Sequence, residues 1–209
     1  ARFCTKLHEI QKQYGFSLIG GDTTKGSTLV LSASFFGTTE RKTIPTTNQA
    51  EIGDDIFVSG TIGDSYIGLL SRKKEIGYLP EFEQKYLYPT ARIDLLEIIK
   101  NHAKAATDIS DGLVRDLNKI LNSSKVGAKL ILPSNLFHKE ALSQPLESLI
   151  SAGDDYQIII TSNSQNRLEI EQNSDFKFIG KITEGAELSI STDKGLKLNI
   201  KNPGYTHIF

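Results

Sequence analysis

Cysteine is nearly absent: Cys4 stands alone in 209 residues, and there is no methionine. One thiol excludes an internal disulfide and any cluster of thiolate metal ligands, and it fits a reducing compartment, so a cytoplasmic setting is expected. An excess of charge is missing too. The 24 Lys and Arg residues face 25 Asp and Glu, a formal net charge of -1. No basic field directs such a chain to nucleic acid. No apolar run is long enough to cross a bilayer, and no GK[ST] lysine loop is present. His8 and His102 read as surface residues of helices, and His138 and His207 lack partners at metal-ligand spacing. No Ser-His-acid arrangement can be assembled from the loops.

What remains has an ordinary globular balance, 38% hydrophobic and 23% charged. Residues 2–14 read as a helix ended by Gly15, with Cys4 as a small core residue. FSLI and TLVLSASFFG read as strands on either side of the GGDTTKG loop. The polar stretch TERKTIPTTNQAEIGDD, interrupted by Pro45, reads as a linker. A strand at IFVSG then turns at Gly60 and Gly63 into a helix from about Asp64. YLPEFEQKYLYP reads as a Pro-broken loop, with a helix from about Thr90. LVRDLNKIL is an amphipathic helix, and AKLILP, QIIITS, FKFIG and the hairpin ELSISTDKGLKLNI supply strands. Helices alternating with strands after residue 50 predict an α/β (α+β-like) domain, a mixed sheet with packed helices.

Three loops gather acids beside small residues: Asp22 in GGDTT, Asp108 and Asp111 in DISDG, and Asp154 and Asp155 in AGDDYQ. A sheet can bring such junction loops to one edge, where α/β folds bind ligands. Carboxylates without a His or Cys cluster suit a hard cation such as Mg2+, which shares its shell with substrate phosphates. With a helix beginning at Ser110 or Asp111, Asp108 and Asp111 would face the same way. Asp or Ser before a helix is also the commonest cap, so each loop alone has a purely structural reading. The Gly60–Gly63 turn could cradle a phosphate, but it reads better as a plain strand-to-helix turn.

The stretches LIGGDTTKG (18–26), GTIGDSYIGL (60–69), ATDISDGLVRDL (106–117), SAGDDYQIIIT (151–161) and the terminal GYTHIF, in this order, resemble the thiamine-monophosphate kinase family. That family belongs to the superfamily that includes aminoimidazole ribonucleotide synthetase. The resemblance implies transfer of the γ-phosphoryl group of ATP to thiamine monophosphate, giving thiamine diphosphate and ADP, with several Mg2+ ions and no protein nucleophile. It implies Asp22, Asp108 and Asp111 as metal ligands, and Thr23 and Ser110 as contacts to ATP. Asp154 takes the place of a substrate-contacting Glu, and Tyr205 that of an aromatic packing on the thiamine moiety. It also implies a division into residues 1–40, the end of an N-terminal ATP- and metal-binding domain, a linker at 41–49, and a C-terminal domain at 50–209.

The sequence departs from the family pattern. The family's N-terminal GDDA-type acidic loop is not in this chain, GGED has become AGDD, and the linker Arg aligns with Thr47, with Arg41 nearby. Family dimers form through the N-terminal domain, so a homodimer is expected of the full-length protein. Little turnover is expected from residues 1–209 alone. The alternatives are another ATP-using member of the superfamily, such as a purine-pathway cyclising synthetase or a selenophosphate synthetase, and a non-catalytic nucleotide- or thiamine-binding module.

Overall fold

The computed structural model describes residues 2–39 and 44–205 and divides the chain into two compact units, Ala1–Lys42 and Thr43–Phe209. In the first unit, helix α1 (Arg2–Tyr14) is closed by Gly15 in a left-handed conformation, whose N–H donates to Gln11 O at 2.9 Å. Glycine takes that backbone at no steric cost. No residue of α1 is buried and Cys4 is exposed, which corrects the expectation of a core cysteine. The two strands expected after it are not formed among the described residues. A strand exists only through its ladder, and the unit's described residues offer no partner strand, so Leu29, Val30, Phe35 and Phe36 stay exposed.

The second unit is built on a mixed sheet. Its elements in chain order are β1 (Asp55–Ser59), α2 (Asp64–Arg72), α3 (Pro80–Leu87), α4 (Leu96–His102), β2 (Ala105–Asp108), α5 (Leu113–Ser124), β3 (Gly127–Leu132), α6 (Leu146–Ser151), β4 (Ile158–Ser162), α7 (Arg167–Asn173), β5 (Phe176–Thr183), β6 (Leu188–Thr192) and β7 (Lys197–Leu198). The strand order is β2-β4-β1-β5-β3-β6-β7, with β3 and β6 parallel and every other pair antiparallel.

The central strand β1 is buried along its whole length, and its period-2 alternation feeds two cores. Ile56 and Val58 join a large cluster with Phe82 of α3 and with Leu113, Leu117 and Ile120 of α5. Phe57 joins a smaller one with Ile160, Ile170 and Phe176, against which Ile98 and Ile99 of α4 pack. Helices therefore cover both faces. Among the described residues no helix is long and apolar enough to cross a membrane.

Three local expectations are corrected. Pro80 opens α3 instead of breaking it, because its missing N–H needs no partner at a helix start. The helix expected from Thr90 begins only with a tight turn at Ile93–Leu95 leading into α4. Arg92, just before it, is drawn to Asp94 and Asp175, both at 2.8 Å. His102 is not a surface residue: its half-buried ring lies 3.3 Å from Glu169, joining α4 to α7.

Candidate functional site

At one end of the sheet three junctions meet: the ends of β1 and β2 and the start of β4. The DISDG loop follows β2, and the AGDDYQ loop precedes β4. Backbone hydrogen bonds stitch the two together. Ile109 N–H donates to Gln157 O, Tyr156 N–H to Ile109 O, and Asp154 N–H to Ser110 O at 3.0 Å. The C-terminal stretch joins them, with Tyr205 N–H donating to Asp111 O at 3.0 Å. Two glycines permit the approach. A Cβ on Gly153 would lie 2.3 Å from Ser110 O, and one on Gly204 would lie 2.3 Å from Asp111 O.

These loops wall a cavity of about 620 Å³ whose lining includes Ser110, Asp111, Asp154, Tyr156 and Tyr205. Asp108, the last residue of β2, is exposed, and no hydrogen bond or ion pair among the described residues engages its carboxylate. Asp111 lies 3.1 Å from Lys119 Nζ and 3.8 Å from Arg115 Nε. The Tyr156 hydroxyl is 3.4 Å from Asp154 Oδ1. Burial, then the negative charge of Asp154, Asp108 and Asp111, pushes its phenol above the usual range, so the three acids act on one point.

Asp108 and Asp111 do not share a helix face. Gly112 precedes α5 with a non-helical backbone, so both acids lie outside the helix. The N-cap position falls to Gly112, which has no side chain to cap with. The residue that orders the turn is Asp116, fully buried within α5. One carboxylate oxygen accepts from the N–H groups of Ser110 and Asp111, each at 2.9 Å, and the other meets Lys119 Nζ at 2.5 Å. Its bond to Asp116, and a second to Asp111, raise the Lys119 ammonium. Sequence reasoning passed over Asp116, yet a signal exists: it interrupts the apolar stripe Leu113, Leu117, Ile120, and a charge on a buried face needs partners.

Asp155 is likewise 9% exposed and accepts from Gly63 N–H at 2.7 Å and Ser65 N–H at 3.1 Å. It occupies the N-terminus of α2, so the Gly60–Gly63 turn is no open phosphate cradle. Asp22 and Thr23 lie in the first unit, where Thr23 N–H donates to Asp22 Oδ1 at 2.7 Å.

The family model for AIR synthase related protein, C-terminal domain, matches residues 51–193. Thiamine-monophosphate kinase of Haemophilus influenzae is 36% identical over 196 residues, covering 87% of this chain and 60% of that protein. Its counterpart in Buchnera aphidicola subsp. Acyrthosiphon pisum is 32% identical over 224 residues, covering 99% of this chain and 68% of that protein. The chain belongs to the thiamine-monophosphate kinase family. The solved thiamine monophosphate kinase of Aquifex aeolicus matches with a TM-score of 0.62 at 34% identity, over 74% of this chain and 54% of that one. This member of the kinase family thus spans little more than half of the solved kinase.

Among the described residues no three His, Cys, Asp or Glu side chains are grouped so as to hold a metal ion. The kinase-family donor set still fits Mg2+ chemically. That ion is commonly bound by one or two carboxylates, with waters and substrate phosphates completing its shell. Asp108, whose carboxylate meets no partner among the described residues, and Asp111, three residues on, are oxygen donors of that kind.

Proposed function

We propose that the protein takes part in the ATP-dependent phosphorylation of thiamine monophosphate to thiamine diphosphate. The observation that carries this reading is the stitched cavity that holds Ser110, Asp111, Asp154 and Tyr205 together. A solved relative described as AaThiL complexed with AMPPCP and TMP, 32% identical with a TM-score of 0.61, supports the two ligand classes.

The reaction needs no protein nucleophile. An oxygen of the acceptor phosphate bonds to the γ-phosphorus, the bond to the β–γ bridging oxygen breaks, and ADP leaves with those electrons. Two phosphates repel each other, so catalysis is positioning and charge neutralisation. Mg2+, when bound, would supply the positive charge, and Asp108 and Asp111 would hold it here; for Asp22 a metal-ligand role rests on the family resemblance. Ser110 would contact the nucleotide from this cavity, and for Thr23 the same role rests on the family resemblance. Asp154 and the face of Tyr205 suit the cationic thiazolium ring by charge and by cation–π attraction. A cytoplasmic location fits the lone cysteine, and a homodimer of the whole protein rests on the family resemblance alone.

Calorimetric titration with thiamine monophosphate and AMPPCP, with and without Mg2+, tests the reading. Binding of both, with AMPPCP dependent on Mg2+, is expected. In Asp108→Asn, Mg2+-dependent affinity for AMPPCP should fall on the order of a hundredfold. Its stability should change by under about 1 kcal/mol, because the carboxylate is exposed and holds nothing in the fold. Unchanged affinity in that variant would remove Asp108 from the metal site. Binding of neither ligand by the unmutated chain would sink the proposal.

A further inference from the structure

Asp155 sits between two residues with left-handed backbones, Asp154 at φ 65 and Tyr156 at φ 50. Side chains other than glycine rarely adopt that conformation, and it persists only where the surroundings impose it. Both residues line the cavity. What the surroundings supply is a ring of hydrogen bonds. The Asp155 carboxylate accepts from Gly63 and Ser65 N–H, the first amides of α2, which no side chain of its own loop caps. The Ser65 hydroxyl then donates to the Asp154 carbonyl at 2.6 Å. The chain therefore runs from carboxylate to helix start to hydroxyl and back to the neighbouring peptide. On the Ser110 side of the cavity a different carboxylate, Asp116, accepts from the Ser110 and Asp111 amides.

We infer that Asp155 is a positioning residue: it clamps the AGDD loop to the start of α2 and so fixes Asp154 and Tyr156 for a cationic substrate of the thiamine class, leaving nucleotide binding to the Asp116-ordered loop. The substrate half of this inference rests on the proposed kinase reading; the clamp itself does not. A carboxyl group suits the task because its two oxygens each accept from one of two amide donors that converge on it. Buried and held by these two bonds, it gives the strained segment one defined position where a solvated side chain would give many.

The test uses the full 209-residue chain and two variants. Asp155→Asn keeps the shape and one acceptor oxygen but loses the second acceptor and the charge. Ser65→Ala leaves the carboxylate in place and removes only the return bond. Titration with thiamine monophosphate and with Mg2+-AMPPCP is paired with amide hydrogen exchange read by NMR at Asp154 and Tyr156, and at Ile159 and Ile160 of β4. In Asp155→Asn we expect at least a tenfold loss of thiamine monophosphate affinity and AMPPCP affinity within twofold. Exchange at Asp154 and Tyr156 should accelerate at least tenfold, with β4 unchanged. Ser65→Ala should shift affinity and exchange the same way, several-fold.

Unchanged exchange at Asp154 and Tyr156 in Asp155→Asn overturns the clamp, and equal loss of both ligands overturns its selectivity. If Asp155→Asn does not fold, Ser65→Ala decides, and its unchanged exchange and affinity overturn the inference. If the unmutated chain binds no thiamine monophosphate, the kinase reading fails, and the exchange comparison alone supports or overturns the clamp.

Discussion

The two ends of the β1 strand each bury a carboxylate, and they treat it in opposite ways. At the end away from the site, Asp55 is fully buried between Arg167, at 2.7 Å, and Lys181, at 2.6 Å. Burial works to raise that carboxyl, but the two bases outweigh it and hold it below the usual range. At the site end, Asp155 has no base in contact. Burial pushes it up to about 7, opposed by the Gly63 and Ser65 amides, raised further by Asp64 and lowered by Lys85. Bases neutralise charge without fixing a loop, because their long side chains can follow small shifts. Backbone amides fix the loop to which they belong, and they leave the charge only partly compensated. The site end accepts that cost in return for order around the cavity.

Three substitutions break or sharpen this contrast. The largest effect is expected from Asp116→Ala, at the site end. Truncation leaves the Ser110 and Asp111 amides without their acceptor, so urea denaturation should show a loss of about 3 kcal/mol. Affinity for Mg2+-AMPPCP should fall with it. Stability lost with nucleotide affinity intact would make Asp116 a purely structural residue.

The next effect concerns pH. The folded pKa of Asp155 lies above the ordinary 3.8, so the native state holds a proton that the unfolded chain releases. The associated stability is fully present below pH 3.8 and is lost as pH rises through about 7. Relative to Asp155→Asn, which cannot titrate, the unmutated chain should lose on the order of 2 kcal/mol between pH 5.5 and 7.5. The charged groups beside it are Asp64 and Lys85, with His138 3.2 Å from Lys85 Nζ. Denaturation curves of both proteins across that window check the sign. A parallel pH dependence would contradict it.

The smallest effect is expected at the far end. Asp55→Ala releases Arg167 and Lys181, whose side chains are 34% and 47% exposed and can turn to water. The cost should be about 1 kcal/mol, below that of stranding a buried charge. Affinity for both ligands should stay unchanged. A loss of affinity would mean that the two ends are coupled.

Much of the second unit was legible because its signals are local. The apolar runs in IFVSG and QIIITS, the apolar stripe of LVRDLNKIL and the TDKG turn are each signals of a single element, and the sheet and helices follow. The strands of the first unit were not legible in the same sense. Their composition is right, but a ladder needs a partner, and none lies among that unit's described residues. The start of α5 was misjudged because Ser110 and Asp111 have the chemistry of caps, whereas the Gly112 backbone, set by the packed loops around it, places them outside the helix.

By itself the sequence determined which residue types could meet: oxygen donors, small neighbours and no nucleophile, in three loops at strand or helix junctions. Side-chain chemistry is a property of each residue, so it can be read one position at a time. Only the tertiary structure decided which acids do which work. Asp116 and Asp155 turn inward onto amides, Asp111 meets Lys119, and Asp108 is left exposed, its carboxylate without a partner among the described residues. Those roles depend on which amide or ammonium lies within about 3 Å, the reach of a hydrogen bond. Such distances are set by elements far apart in the chain.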